Sequence, residues 1–115
     1  MTVAEGKVQC PCGRFVDRSE DYKLLFLKKE MREIDILCPN DSCYLREIGY
    51  IKFDVKDNKP VFKEAVFYPP FVTWNMSQLG EKAGAMMKRQ LIDIVTKIID
   101  WKKITADLIR IQETK

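Results

Sequence analysis

Four cysteines in two tight pairs constrain this chain more than any other feature. The first pair is Cys10-Pro11-Cys12-Gly13 and the second is Cys38-Pro39-Asn40-Asp41-Ser42-Cys43. Each pair carries a proline directly after its first cysteine. A β-rich core can bring two such pairs together, to be joined by one metal ion or by two disulfides. Zinc takes four thiolates at tetrahedral positions, commonly supplied by two short knuckles. Four residues separate Cys38 from Cys43, inside the usual range, whereas one residue separates Cys10 from Cys12, tighter than the common spacing. Two disulfides are the rival reading, and four cysteines allow three connectivities. A Cys10–Cys12 bridge closes a very small ring, so cross-pairing of the knuckles is the form to expect. Free thiols are the third reading. In all three the role is structural. The chain has no histidine, so the usual Cys–His nucleophile is excluded.

The length of 115 residues suits one domain, large enough for a core and small enough for a cross-link to matter. Hydrophobic residues make up 46% and charged residues 32%, the balance of a soluble globular protein. No apolar run reaches the ~18 residues of a membrane-spanning helix. The N-terminus lacks the basic and apolar regions of a signal peptide. A cytoplasmic location with no membrane partner is the expectation. Many Lys, Glu and Ile, few Asn and Gln, and no His resemble a thermophile's composition, which suggests an archaeal or viral source and a setting that tolerates intracellular disulfides. Net charge is +3 but uneven: residues 1–57 balance to −1 and residues 58–115 to +4. The basic second half is compatible with a nucleic-acid partner without requiring one.

The fold class expected is α+β. A small antiparallel sheet anchored by the paired cysteines occupies residues 1–75, and a long C-terminal helix with a heptad-like seam occupies residues 76–115, in one domain overall. Residues 7–16 read as a short strand carrying the first knuckle. Residues 22–37 read either as a hairpin, with Ile34 and Ile36 on one face, or as a helix with Leu24, Leu27, Met31 and Ile34 in a stripe. The alternation of Ile34-Asp35-Ile36 into the second knuckle favours the hairpin. Residues 50–55 alternate, residues 56–60 carry strong turn chemistry, and residues 61–68 return as the partner strand. Pro69-Pro70 ends the sheet, since proline cannot donate to a ladder. A helix then begins near Ser77, capped by Asn75 or Ser77. Met87, Leu91, Ile94, Ile98, Trp101, Thr105 and Leu108 repeat at alternating spacings of four and three, a heptad seam. Met87, Leu91, Ile94, Ile98, Trp101 and Leu108 are the candidate homodimer contacts. Further apolar positions such as Ile92, Val95 and Ile99 widen this stripe, and Gly80 and Gly84 weaken its first turns.

Aromatic residues concentrate in the β-rich part and basic residues interleave with them. Arg14, Tyr44, Arg46, Tyr50, Lys52 and Lys63 are the candidate nucleic-acid-binding residues, because bases stack on rings while cations meet phosphates. Tyr50 and Lys52 alternate away from the apolar face of their strand, and Lys63 should stay solvated. Most other rings belong to the core. Along the helix, Arg89, Asp93, Asp100, Lys103, Asp107 and Arg110 mix signs at helical spacing, which reads as a solvated face. Met86 and Met87 read as core. No phosphate loop and no catalytic carboxylate pair is recognisable, so no catalytic residue is assigned.

The plan of a small sheet with stacked aromatics followed by a long zipper-like helix resembles the ThermoDBP family of archaeal single-stranded nucleic-acid-binding proteins. That resemblance implies a nucleic-acid cleft on the sheet and dimerisation through the C-terminal helix. Over residues 10–43 the knuckles resemble the zinc ribbons of transcription and translation proteins. The expectation is therefore a non-enzymatic protein that binds single-stranded DNA or RNA, with zinc as its possible cofactor. The alternative is a protein–protein adaptor, or a zinc-ribbon-like accessory subunit of a transcription or translation complex.

Overall fold

A computed structural model describes residues 7–16, 18–26, 32–57 and 59–101. Two antiparallel sheets and two helices make an α+β architecture. Strands β1 (Val8–Gln9) and β2 (Phe15–Val16) form a small hairpin around the first knuckle. A 3-10 turn at Ser19–Asp21 leads to β3 (Lys23–Phe26), β4 (Glu33–Leu37), β5 (Glu47–Lys56) and β6 (Lys59–Phe67). These four strands pair in chain order as an antiparallel meander. Strands β3 and β4 thus pair as the hairpin reading expects, with Lys23 opposite Leu37 and Phe26 opposite Ile34, while Leu27 and Met31 of the helical reading lie outside the described residues. Burial explains the choice: Ile34 and Ile36 share one face and are both fully buried, whereas a helix would spread them over its surface.

Two register shifts shape the meander. Ile36 pairs with Gly49 but Leu37 pairs with Glu47, which leaves Ile48 as an extra residue in β5. Lys52 pairs with Glu64 but Phe53 pairs with Phe62, which leaves Lys63 extra in β6. Each extra residue bends its strand and re-aims the side chains beyond it. Gly49 is required beside the first bulge, because a Cβ there would lie 2.6 Å from the Val66 carbonyl oxygen. The inner face of the sheet contributes Ile34, Ile36, Ile51, Phe53 and Phe67 to one core with Phe71, Ala83, Met87 and Ile94 of the helical layer. The Phe67 and Phe71 rings lie 4.7 Å apart, and Tyr22 packs against both.

The sheet does end before Pro69-Pro70, but the helical part differs from expectation. Helix α1 spans Pro69–Leu79, starting ahead of the expected cap. Proline suits the first helical position, where its missing N–H would have had no intrahelical partner. Asn75 and Ser77 are therefore inside α1 and cap nothing. The single long helix is also corrected. Gly80, at φ 68° and ψ −146°, breaks the run, and α2 covers only Lys82–Asp93. A π-helical turn follows at Ile94–Ile98, and Ile99 is extended. Its closing bond, from the Ile99 N–H to the Ile94 carbonyl at 3.0 Å, spans one residue more than an α-turn and disrupts the heptad phase. Thr105 and Leu108 lie outside the described residues. No helix among the described residues is long and apolar enough to cross a membrane.

Candidate metal centre

Each knuckle is set by its own backbone bonds. In the first, the Cys10 N–H donates to the Arg14 carbonyl and the Gly13 N–H to the Cys10 carbonyl, both at 2.8 Å. Gly13 has φ +104°, a conformation that L side chains rarely adopt. In the second, the Cys38 N–H donates to the Arg46 carbonyl at 2.7 Å, and the Cys43 N–H to the Asn40 carbonyl at 2.9 Å. The Asn40 side chain accepts from the Ser42 N–H at 3.0 Å, a local turn that suits Asn. Arg46, at φ 59°, lets the chain leave the knuckle for β5.

The two knuckles converge. Cys10 Sγ and Cys43 Sγ are 3.5 Å apart, Cys12 Sγ and Cys38 Sγ are 3.7 Å apart, and all four sulfurs lie within 4.8 Å of one another. Zinc–sulfur bonds of about 2.3 Å place the corners of a tetrahedron about 3.8 Å apart. A disulfide needs about 2.05 Å. The spacing therefore fits four unbridged sulfurs around one centre, and all four cysteines are free. Cys10, Cys38 and Cys43 are buried and Cys12 is half-buried.

Charge on this cluster is distributed unequally. Burial pushes the Cys10 thiol far up, and Cys38 is raised to about 11, again chiefly by burial. At Cys12 burial also opposes ionisation, but hydrogen bonds from the Asn40 side chain and the Arg14 backbone outweigh it and bring the thiol to about 7. The Asn40 amide nitrogen is 3.5 Å from Cys12 Sγ, and its backbone nitrogen is 3.4 Å from Cys38 Sγ. Such donors stabilise thiolate, the form a metal takes.

Buried polar side chains clamp the first knuckle to the helices. Asn75 accepts from the Gln9 N–H at 2.7 Å and donates to the Gln9 carbonyl at 2.8 Å, like a rung added to β1. Trp74 Nε1 donates to Gln9 Oε1 at 3.2 Å. Gln90 donates to the Val16 carbonyl at 3.1 Å and accepts from the Tyr22 hydroxyl. Sequence reasoning took Asn75 for a helix cap and gave Asn40 and Gln90 no role. The one available signal was the polar character of Asn75 and Gln90 within an otherwise apolar helical stripe.

The six candidate nucleic-acid residues fall into separate places. Arg14, Tyr44 and Arg46 flank the knuckles, with Tyr44 75% exposed. Arg46 lies 3.7 Å from Asp41, which also pairs with Lys23. Tyr50 and Lys52 are on the outer face of the sheet, where the Tyr50 ring is 5.6 Å from that of Tyr68 and Lys52 Nζ is 3.0 Å from Glu33. Lys63 is the bulge residue of β6.

The outer face also holds three carboxylates that sequence reasoning did not single out. One oxygen from each of Glu33, Asp35 and Glu47 lies within 4.8 Å of the others. The Tyr68 hydroxyl donates to Glu47 at 2.8 Å. Burial, then the hydrogen bond with Glu33 and the charge of Glu47, push the Asp35 carboxyl up to about 8.

Of the candidate dimer residues, Met87 and Ile94 are buried in the chain's own core. Trp101 packs edge-on against Phe53 at 6.1 Å and donates to the Val95 carbonyl at 2.7 Å. Leu91 is half-buried and Ile98 is exposed, and Leu108 lies outside the described residues. Leu91 lines an apolar groove of about 300 Å³ with Phe62, Ala65, Ile92 and Val95.

Comparison of the chain with protein-family models, with curated proteins and with solved structures finds no match in any of the three.

Proposed function

We propose that the four cysteines bind one zinc ion as thiolates, and that the protein is a non-enzymatic module whose knuckle end takes single-stranded nucleic acid. The observation that carries this reading is the convergence of four sulfurs from two knuckles within 4.8 Å, beside an exposed tyrosine and two arginines. An all-sulfur donor set suits zinc, and a set of four thiolates with no open position supplies structure, not reactivity. Tyr44 offers an aromatic face for a base, and Arg14 and Arg46 offer cations for phosphate. The sheet face is the weaker candidate. There the carboxylates of Glu33 and Glu47 would repel a phosphate backbone.

Fluorescence anisotropy with labelled single-stranded DNA and RNA tests the reading. Binding should weaken with salt, as counterion release requires. Tyr44→Ala should cost about 1–3 kcal/mol of binding energy, the usual worth of one base stacked on a ring. Lys52→Ala should leave affinity unchanged. Absence of salt-sensitive binding at micromolar protein sinks the nucleic-acid half of the reading.

The groove between β6 and α2 favours a second reading, a protein adaptor or accessory subunit. Phe62 and Ile92 line it and are 44% and 51% exposed. Homodimerisation through α2 and the π-helical turn belongs with this reading, using Leu91 and Ile98, since Met87 and Ile94 are occupied within the chain. Light scattering coupled to size exclusion separates a dimer from a monomer.

A further inference from the structure

We infer that the four-cysteine centre is also an oxidation site with a fixed order, in which hydrogen peroxide enters at Cys12, a Cys12–Cys38 disulfide closes first and a Cys10–Cys43 disulfide follows. Its coupling to metal release rests on the zinc reading above, whereas the order of bond formation rests on the sulfur geometry. Two sulfur contacts cross between the knuckles, at 3.7 Å for Cys12–Cys38 and 3.5 Å for Cys10–Cys43. Either pair reaches the bonding distance of about 2.05 Å by an approach of less than about 2 Å. Access then decides the order. Cys12 is half-buried, whereas the other three are buried. Asn40 sits against both sulfurs of the Cys12–Cys38 pair, with its side-chain nitrogen 3.5 Å from Cys12 Sγ and its backbone nitrogen 3.4 Å from Cys38 Sγ, and so holds the two side by side at the accessible edge of the cluster. The Cys10–Cys43 pair is shielded, with relative exposures of 0% and 4%.

The chemistry balances without another reagent. The Cys12 thiolate attacks one peroxide oxygen and breaks the O–O bond, giving a sulfenic acid, and the departing hydroxide takes a proton to become water. The Cys38 thiolate then attacks the Cys12 sulfur, and the second hydroxide leaves and is protonated to water. Sulfur has lost two electrons and one peroxide has become two waters. Cys10 and Cys43 remain as the only reduced cysteines, half the donor set, and a second peroxide joins them in the same way.

The test uses the full-length protein purified under reductant, then freed of it and given sub-stoichiometric peroxide. Remaining thiols are blocked with one alkylating reagent, disulfides are reduced, and the released thiols are labelled with a second. Tandem mass spectrometry localises each label, and a chelating dye follows zinc. In the singly bridged species, the second label should fall on Cys12 and Cys38 severalfold more often than on Cys10 and Cys43, with zinc released as bridges accumulate. Labelling of Cys10 and Cys43 first, or pairing within a knuckle, overturns the inference and leaves the zinc reading standing. Protein that holds no zinc before oxidation but bridges Cys12 to Cys38 first ends the zinc reading and upholds the order.

Discussion

Single residues tie the knuckle end to the rest of the molecule. Asn75 is fully buried and satisfies both backbone groups of Gln9, the residue before Cys10. Asn75→Ala leaves that N–H and carbonyl without their partner, which should cost about 1–3 kcal/mol in denaturant unfolding. An unchanged midpoint would show that the rung contributes nothing. Asp35 makes a different prediction. Its carboxyl is raised to about 8 in the folded chain, against about 3.9 when unfolded. Between those values the folded state binds more protons than the unfolded state, so this residue's contribution to stability falls as pH rises through the window. Asp35→Asn should gain stability over the native chain progressively from pH 4 to pH 8. Parallel pH profiles for the two proteins would refute this. The cysteines were legible because their chemistry is written in local spacing. Asn75 and Gln90 were not, because their partners lie 66 and 74 residues away.

At the scale of elements, two strand bulges and one glycine account for most of what sequence patterning did not reveal. Period-two reasoning recovered the β5–β6 hairpin and the burial of Ile34 and Ile36. It could not foresee that the extra residue Ile48 turns inward and leaves Glu47 on the outer face with Glu33 and Asp35. A bulge shifts side-chain phase without a compositional signature at this site. The single long helix failed for a related reason. The four–three spacing of apolar residues continues across the π-helical turn, but the backbone does not keep a constant phase there. Gly80 carries the break between the helices at a positive φ, whereas Gly84 sits inside α2 with open space around its Cβ position. Gly80→Ala should therefore destabilise by about 1–3 kcal/mol through backbone strain. Gly84→Ala should be neutral or stabilising by up to about 1 kcal/mol. Thermal unfolding of the two variants side by side checks this, and equal effects would mean that Gly80 does not set the break.

At the scale of the whole molecule, the four-cysteine centre joins parts that pair weakly by themselves. The β1–β2 hairpin has two residues in each strand, too few for independent stability. It is fixed on one side by Asn75 and Gln90, and on the other by sulfurs that meet the knuckle between β4 and β5. A zinc ion bound there would be part of the fold at the knuckle end, because binding energy of a structural zinc is folding energy. The α+β class and the sulfur quartet followed from residue types and their order. The acidic group of the outer sheet face did not, since Glu33, Asp35 and Glu47 meet only through long-range register. Native mass spectrometry of protein purified under reductant tests the central claim most directly. One zinc per chain is expected, displaced by a chelator, with all four thiols then open to alkylation. A metal-free chain under those conditions, whether it carries four free thiols or lacks the hydrogens lost in two disulfides, would contradict it.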